Sequence, residues 1–123
     1  MIQGFENYTA SLTDYEKEAL VPAICVELKS CLGVRKAIRN KALCRTLELQ
    51  RYGKVSEARM RKCINYIRIN GLVQHLLANS HGYYIATSVE EVQEYADSLK
   101  ERAEAIWAVR GALIGQLSGK LFL

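Results

Sequence analysis

The sequence has one proline, two phenylalanines and two histidines, His75 and His81. Its four cysteines, Cys25, Cys31, Cys44 and Cys63, form no C-x-x-C pair and stand far from either histidine. Zinc sites announce themselves by tight ligand pairs, so no metal site is expected. Each cysteine instead lies beside apolar residues at helical spacing, which suits a small buried thiol. No flanking residues suggest an activated Cys/His nucleophile. There is also no glycine-rich phosphate loop and no pair of carboxylates in a glycine-rich setting, so neither an enzyme, a cofactor nor a small-molecule substrate is expected. No run approaches the roughly 18 apolar residues of a membrane span. "MIQGFENYTASLTD" lacks a basic start followed by an apolar stretch, so no signal peptide is read there and the expected compartment is the cytoplasm.

What the sequence has is apolar material and segregated charge. Half of its 123 residues are hydrophobic, enough for the core of one domain with an appended element. From Val34 to Ile69 there are eleven Lys/Arg against Glu48 and Glu57, a net +9; the remainder, with six basic and eleven acidic residues, carries −5. Charge divided this way projects a directed field and favours a polyanionic partner.

Residues 1–12 lack periodicity and read as an N-terminal arm. "TDYE" (Thr13 to Glu16) is a capping box. The helix it opens is expected to bury Leu20, Val21, Ile24, Cys25, Leu28 and Leu32, to be kinked or split by Pro22, and to end at Gly33. "RKAI" (Arg35 to Ile38) could form a small edge strand. Asn40 is expected to cap a second helix, Lys41 to about Arg51, with Leu43, Cys44 and Leu47 inward. "YGKV" is a tight connection with Gly53 left-handed, after which Ser56 caps a third helix stopped by Gly71. "LVQHLLANSHGYYIAT" (Leu72 to Thr87) reads as a hairpin turning at "NSHG", where Gly82 most needs a positive φ. Tyr83 and Tyr84 should alternate, one in the core and one outside. "SVEE" (Ser88 to Glu91) opens a final helix reaching about Leu117, followed by a tail, 118–123.

In the third helix, at 100° per residue, Met60, Cys63, Ile64 and Ile67 form one apolar stripe. The far side then carries Ala58, Lys62, Asn65 and Ile69, with Arg61 and Arg68 on one shoulder and Arg59 and Tyr66 on the other. Asparagine can bond adenine twice, arginine and lysine can reach guanine, and a small Ala58 permits close approach. Arg68 sits in the last turn, where the helix dipole itself favours a cation.

The order helix, short strand, helix, turn, helix, hairpin, helix resembles the winged helix-turn-helix fold over about Thr13 to Thr87, a mainly α architecture with a small β-hairpin wing. "ARMRKCINYIRINGL" looks like a recognition helix entering a wing, and "ANSHGYYIAT" looks like the wing. "SLTDYEKEALVPAI", "AIRNKAL" and "GYYIATSVEEV" look like winged-helix proteins encoded by phages and prophages of gut bacteria. The resemblance implies sequence-specific binding of double-stranded DNA in the major groove, as a transcription regulator or replication-origin binder. Arg61, Lys62 and Asn65 would then face the bases, with Arg59 and Arg68 also in the DNA-binding set, Arg68 alternatively pairing with an acid of the last helix. Lys41, Arg45 and Lys54 would hold phosphates, and His81 would stand at the wing tip. The alternative is a winged helix that binds an acidic protein and no DNA.

From Val92 the final helix steps 4-3-4-3 through Ala96, Leu99, Ala103, Ile106, Arg110, Leu113 and Leu117, a heptad seam interrupted only by Arg110. Such a helix, about 44 Å long, exceeds the domain it would pack on. A homodimer is therefore expected, paired through Leu99, Ala103, Ile106 and Leu113.

Overall fold

The computed structural model describes residues 11–117. Most of the expected arm (1–12) and the whole tail (118–123) lie outside them. The chain divides into two units, Met1–Thr87 and Ser88–Leu123. It is mainly helical, with one two-stranded antiparallel hairpin.

The capping box forms at the start of the first unit. Glu16 N–H donates to Thr13 Oγ1 (3.2 Å), and Thr13 N–H donates to Glu16 Oε1 (2.8 Å). A π-helical turn, Glu16–Leu20, leads without a break into α1 (Val21–Leu28). Pro22 therefore does not split the segment. A proline cannot donate and crowds the carbonyl four residues back, and the wider turn, closed by Val21 N–H on Glu16 O, absorbs this just ahead of it.

The helix stops at Leu28, five residues before Gly33, which corrects the expected end. Cys31 turns into the core and Leu32 is left 56% exposed, contrary to its expected burial. Gly33, at φ +84°, instead opens a 3₁₀ turn, Val34–Lys36. The edge strand expected over Arg35 to Ile38 shrinks to Ile38 alone, which exchanges two backbone hydrogen bonds with Tyr83 (2.9 and 2.8 Å).

Next come α2 (Asn40–Leu49) and α3 (Glu57–Ile69). Between them Arg51 and Gly53 both take positive φ, at 68° and 86°. Ser56 caps α3 as expected, its Oγ accepting from Arg59 N–H at 3.1 Å. Asn40 does not cap α2; that position falls to Arg39, with no side-chain bond. The hairpin is β1 (Leu76–Asn79) and β2 (Gly82–Ile85), with Leu76 opposite Ile85 and Asn79 opposite Gly82. Asn79 Oδ1 accepts from His81 N–H across the tip (2.8 Å). Gly82 has φ +119°, and a Cβ there would overlap the Ile38 carbonyl, so only glycine lets Ile38 join the hairpin.

Three helices and the hairpin close over one core. Leu20, Ile24 and Leu28 from the first helical segment meet Leu43 and Leu47 of α2 and Met60, Cys63 and Ile67 of α3. Tyr83 joins the core and Tyr84 does not, as alternation requires, but Tyr84 is buried as well, which corrects its expected exposure. Ile38 pairs with Tyr83 on one edge of β2 and β1 pairs on the other.

The second unit is α4 (Val89–Gln116), capped by Ser88 Oγ accepting from Glu91 N–H (3.1 Å). None of its residues is buried. At 28 residues it measures about 42 Å. Among the described residues no helix is long and apolar enough to cross a membrane.

Candidate nucleic-acid interface

The apolar stripe of α3 is the one read from the sequence: Met60, Cys63, Ile64 and Ile67 are buried. The remaining faces divide in a way the helical wheel does not show. Glu16, only 2% exposed, receives Arg59 Nε on Oε2 (2.7 Å) and Lys62 Nζ on Oε1 (2.8 Å). Lys62, 17% exposed, is drawn toward the first helical segment, which corrects its outward placement. Arg59 also lies over the Tyr15 ring, 5.8 Å from its centroid. The Tyr15 hydroxyl in turn donates to Tyr52 O (2.6 Å). Two cations assigned to DNA binding therefore serve to clamp α3 to the start of the fold.

The clamp has a clear electrostatic cause. Burial alone would raise the Glu16 pKa. Hydrogen bonds from Lys62, the Thr13 amide and Arg59 outweigh that and lower it from 4.5 to about 2. A signal for this was present in the sequence. Glu16 lies four residues before Leu20 on the stripe that continues through Ile24 and Leu28, and an acid on an apolar stripe needs cations.

Asn40 is the second residue whose role the sequence disguised. Its Nδ2 donates to Tyr83 Oη (2.8 Å) and to Glu57 O (3.2 Å), while its Oδ1 accepts from Cys44 Sγ (3.3 Å). One amide thus ties α2 to the first turn of α3 and to β2. Nothing local marks it, because both partners outside α2 are distant in sequence.

With those two knots tied, Ala58, Arg61, Asn65 and Arg68 remain partly exposed on α3. Lys41 and Arg45 on α2, Lys54 in the turn and His81 at the hairpin tip are exposed. So are Arg35, Lys36 and Arg39 ahead of α2, which the sequence reading counted as charge and assigned no role. Arg39 and Lys41 line a cleft of about 460 Å³ with Glu57 on one side and Asn79, Ser80 and Gly82 on the other. Across the hairpin tip, His81 shares a shallower hollow of about 240 Å³ with Val34, Arg35 and Ala37. Exposed basic side chains thus flank the start of α2 and the hairpin tip, with Glu57 of α3 as the acid among them.

The thiols are raised in pKa, Cys63 to about 11, chiefly by burial and then by the Glu16 charge, so none is poised as a thiolate. Among the described residues no three His, Cys, Asp or Glu side chains are grouped so as to hold a metal ion. Scans of this chain against protein-family models, curated proteins and solved structures find no match.

Proposed function

We propose that the first unit is a winged helix-turn-helix domain that binds double-stranded DNA sequence-specifically, as a phage or prophage-type regulator or replication-origin binder. In this reading α2 and α3 are the helix-turn-helix and the hairpin is the wing. The observation that carries it is the set of exposed bases before and on α2 and in the turn to α3: Arg35, Lys36, Arg39, Lys41, Arg45 and Lys54. Counting Glu16 against the +9 of Val34 to Ile69 leaves +8, so the internal clamp removes little of the field. Arg61 and Asn65 are then the base-reading pair, with Ala58 allowing close approach. Lys41, Arg45 and Lys54 position the duplex through phosphates, joined by Arg39 at the cleft beside the wing. Lys62 and Arg59 leave the reading set and hold α3 in place.

Binding to duplex DNA measured against salt tests this. If about five phosphates are neutralised, log K falls against log salt with a slope near −4.5. Arg61→Ala or Asn65→Ala costs about 1–3 kcal/mol on a site selected from a random duplex pool and relaxes its preference. Lys41→Ala weakens all sequences alike and flattens the slope by about one. Absence of binding at low salt would defeat the DNA reading and leave the basic surface to an acidic protein.

A further inference from the structure

Among the described residues α4 has none that is buried, and its seam is exposed from Ala96 to Leu117. Ile106 is 70% exposed, and Leu113, Leu117 and Trp107 are exposed too. The one interruption is milder than the sequence suggests. The Arg110 guanidinium lies over the Trp107 ring, 5.0 Å from its centroid, and Trp107 is not a seam residue, so the charge is drawn toward the seam's flank. The geometry points to α4 as the pairing surface for a second copy of this chain, the two helices running antiparallel. The inference stands on α4 alone and does not depend on DNA binding.

Charge argues against a lipid surface as the occupant. α4 carries six acidic and three basic residues, whereas helices that lie on anionic membranes have a basic polar face. Self-complementarity argues for a second copy. A two-fold contact brings the same patch of both chains together, so each layer must fit its own mirror position. Laid antiparallel with Ala103 facing Ile106 of the second copy, the seam also sets Ala96 against Leu113 and Leu99 against the Arg110 stem. The two alanine layers each set a small side chain against a large one, which fills the space between helices evenly. The half bearing Glu90, Glu91, Glu94 and Asp97 then runs beside the half bearing Arg110, and the two helix dipoles oppose. A parallel, in-register pair would stack Ala103 on Ala103 and Arg110 on Arg110, putting thin layers beside a like-charge layer.

Sedimentation equilibrium of the full chain from low to high micromolar concentration reads the association. Wild type is expected as a dimer, and Ile106→Asp weakens it at least about 100-fold by placing a charge in the central layer. The melting temperature of the first unit should not move. Glu101→Lys, on the outer face, leaves the mass unchanged. A spin label on Gln93→Cys, in a Cys25→Ser background, should lie about 35 Å from its copy along the axis. A separation near 10 Å would overturn the antiparallel arrangement. A monomeric wild type would overturn the pairing itself, as would loss of the dimer in Glu101→Lys. A monomer that binds neutral phosphatidylcholine vesicles through Ile106 would assign the seam to lipid instead.

Discussion

The unit ending at Thr87 and the helix that follows it carry similar apolar material and use it in opposite ways. In the first, helices of eight to thirteen residues are too short to persist alone, and they are held by burying one stripe each against the others. Among the described residues no buried side-chain nitrogen or oxygen lacks a hydrogen-bond partner, down to Glu16 with its two cations. In the second, 28 residues with a serine cap make a helix by local interactions while no side chain is buried. Periodicity is present in both. An apolar stripe specifies that a helix has something to cover, and only three-dimensional packing says whether its own chain covers it.

The sharpest test of that contrast is Glu16→Ala. It leaves two cations facing an apolar core, and the loss is expected at about 2–3 kcal/mol for the first unit, below a fully buried pair because Arg59 and Lys62 retain some water. Urea unfolding measures it, with α4 helicity unaffected. The pH dependence has a definite sign. The folded pKa of about 2 lies below the ordinary 4.5, so the unfolded chain binds the proton more readily. Stability from this site is then complete above pH 4.5 and is lost as pH falls toward 2. Glu16→Gln should abolish that part of the acid slope, and an unchanged slope would show that the clamp carries no stability.

Glycines sharpen the comparison next, because the same substitution has opposite signs in the two units. Gly82→Ala forces a β-carbon into the Ile38 backbone at positive φ and should cost about 2 kcal/mol or more in thermal or urea unfolding. Gly111→Ala in α4 meets nothing within 4 Å and should favour the helix by about 1 kcal/mol, visible as increased far-ultraviolet ellipticity. A destabilised first unit in Gly111→Ala would break that contrast.

The smallest effect expected is at the caps. Ser56→Ala should lower the stability of the first unit by about 1 kcal/mol. Ser88→Ala should fray the start of α4, seen as faster amide exchange there, and leave the urea midpoint of the first unit in place.

What could be read before folding was what acts within about four residues. The Thr13–Glu16 box, the Ser56 and Ser88 caps, the positive φ of Gly53 and Gly82, the stop of α3 before Gly71, the stripe of α3 and the extent of α4 all belong here. Each depends on backbone geometry that repeats locally, so composition and spacing express it directly. Most misplacements concern side chains whose partners lie well beyond one helical turn, such as 17 residues between Asn40 and Glu57 and 43 between Asn40 and Tyr83. Lys62 turns from the reading face to Glu16, Asn40 leaves the cap for Tyr83 and Glu57, Tyr84 is buried along with Tyr83, and Leu32 is exposed by an early helix end. A helical wheel fixes the angle of a side chain about its own axis. Which element lies at that angle is set by how the helices cross and which strand edge Ile38 joins, and those follow from packing the whole core at once.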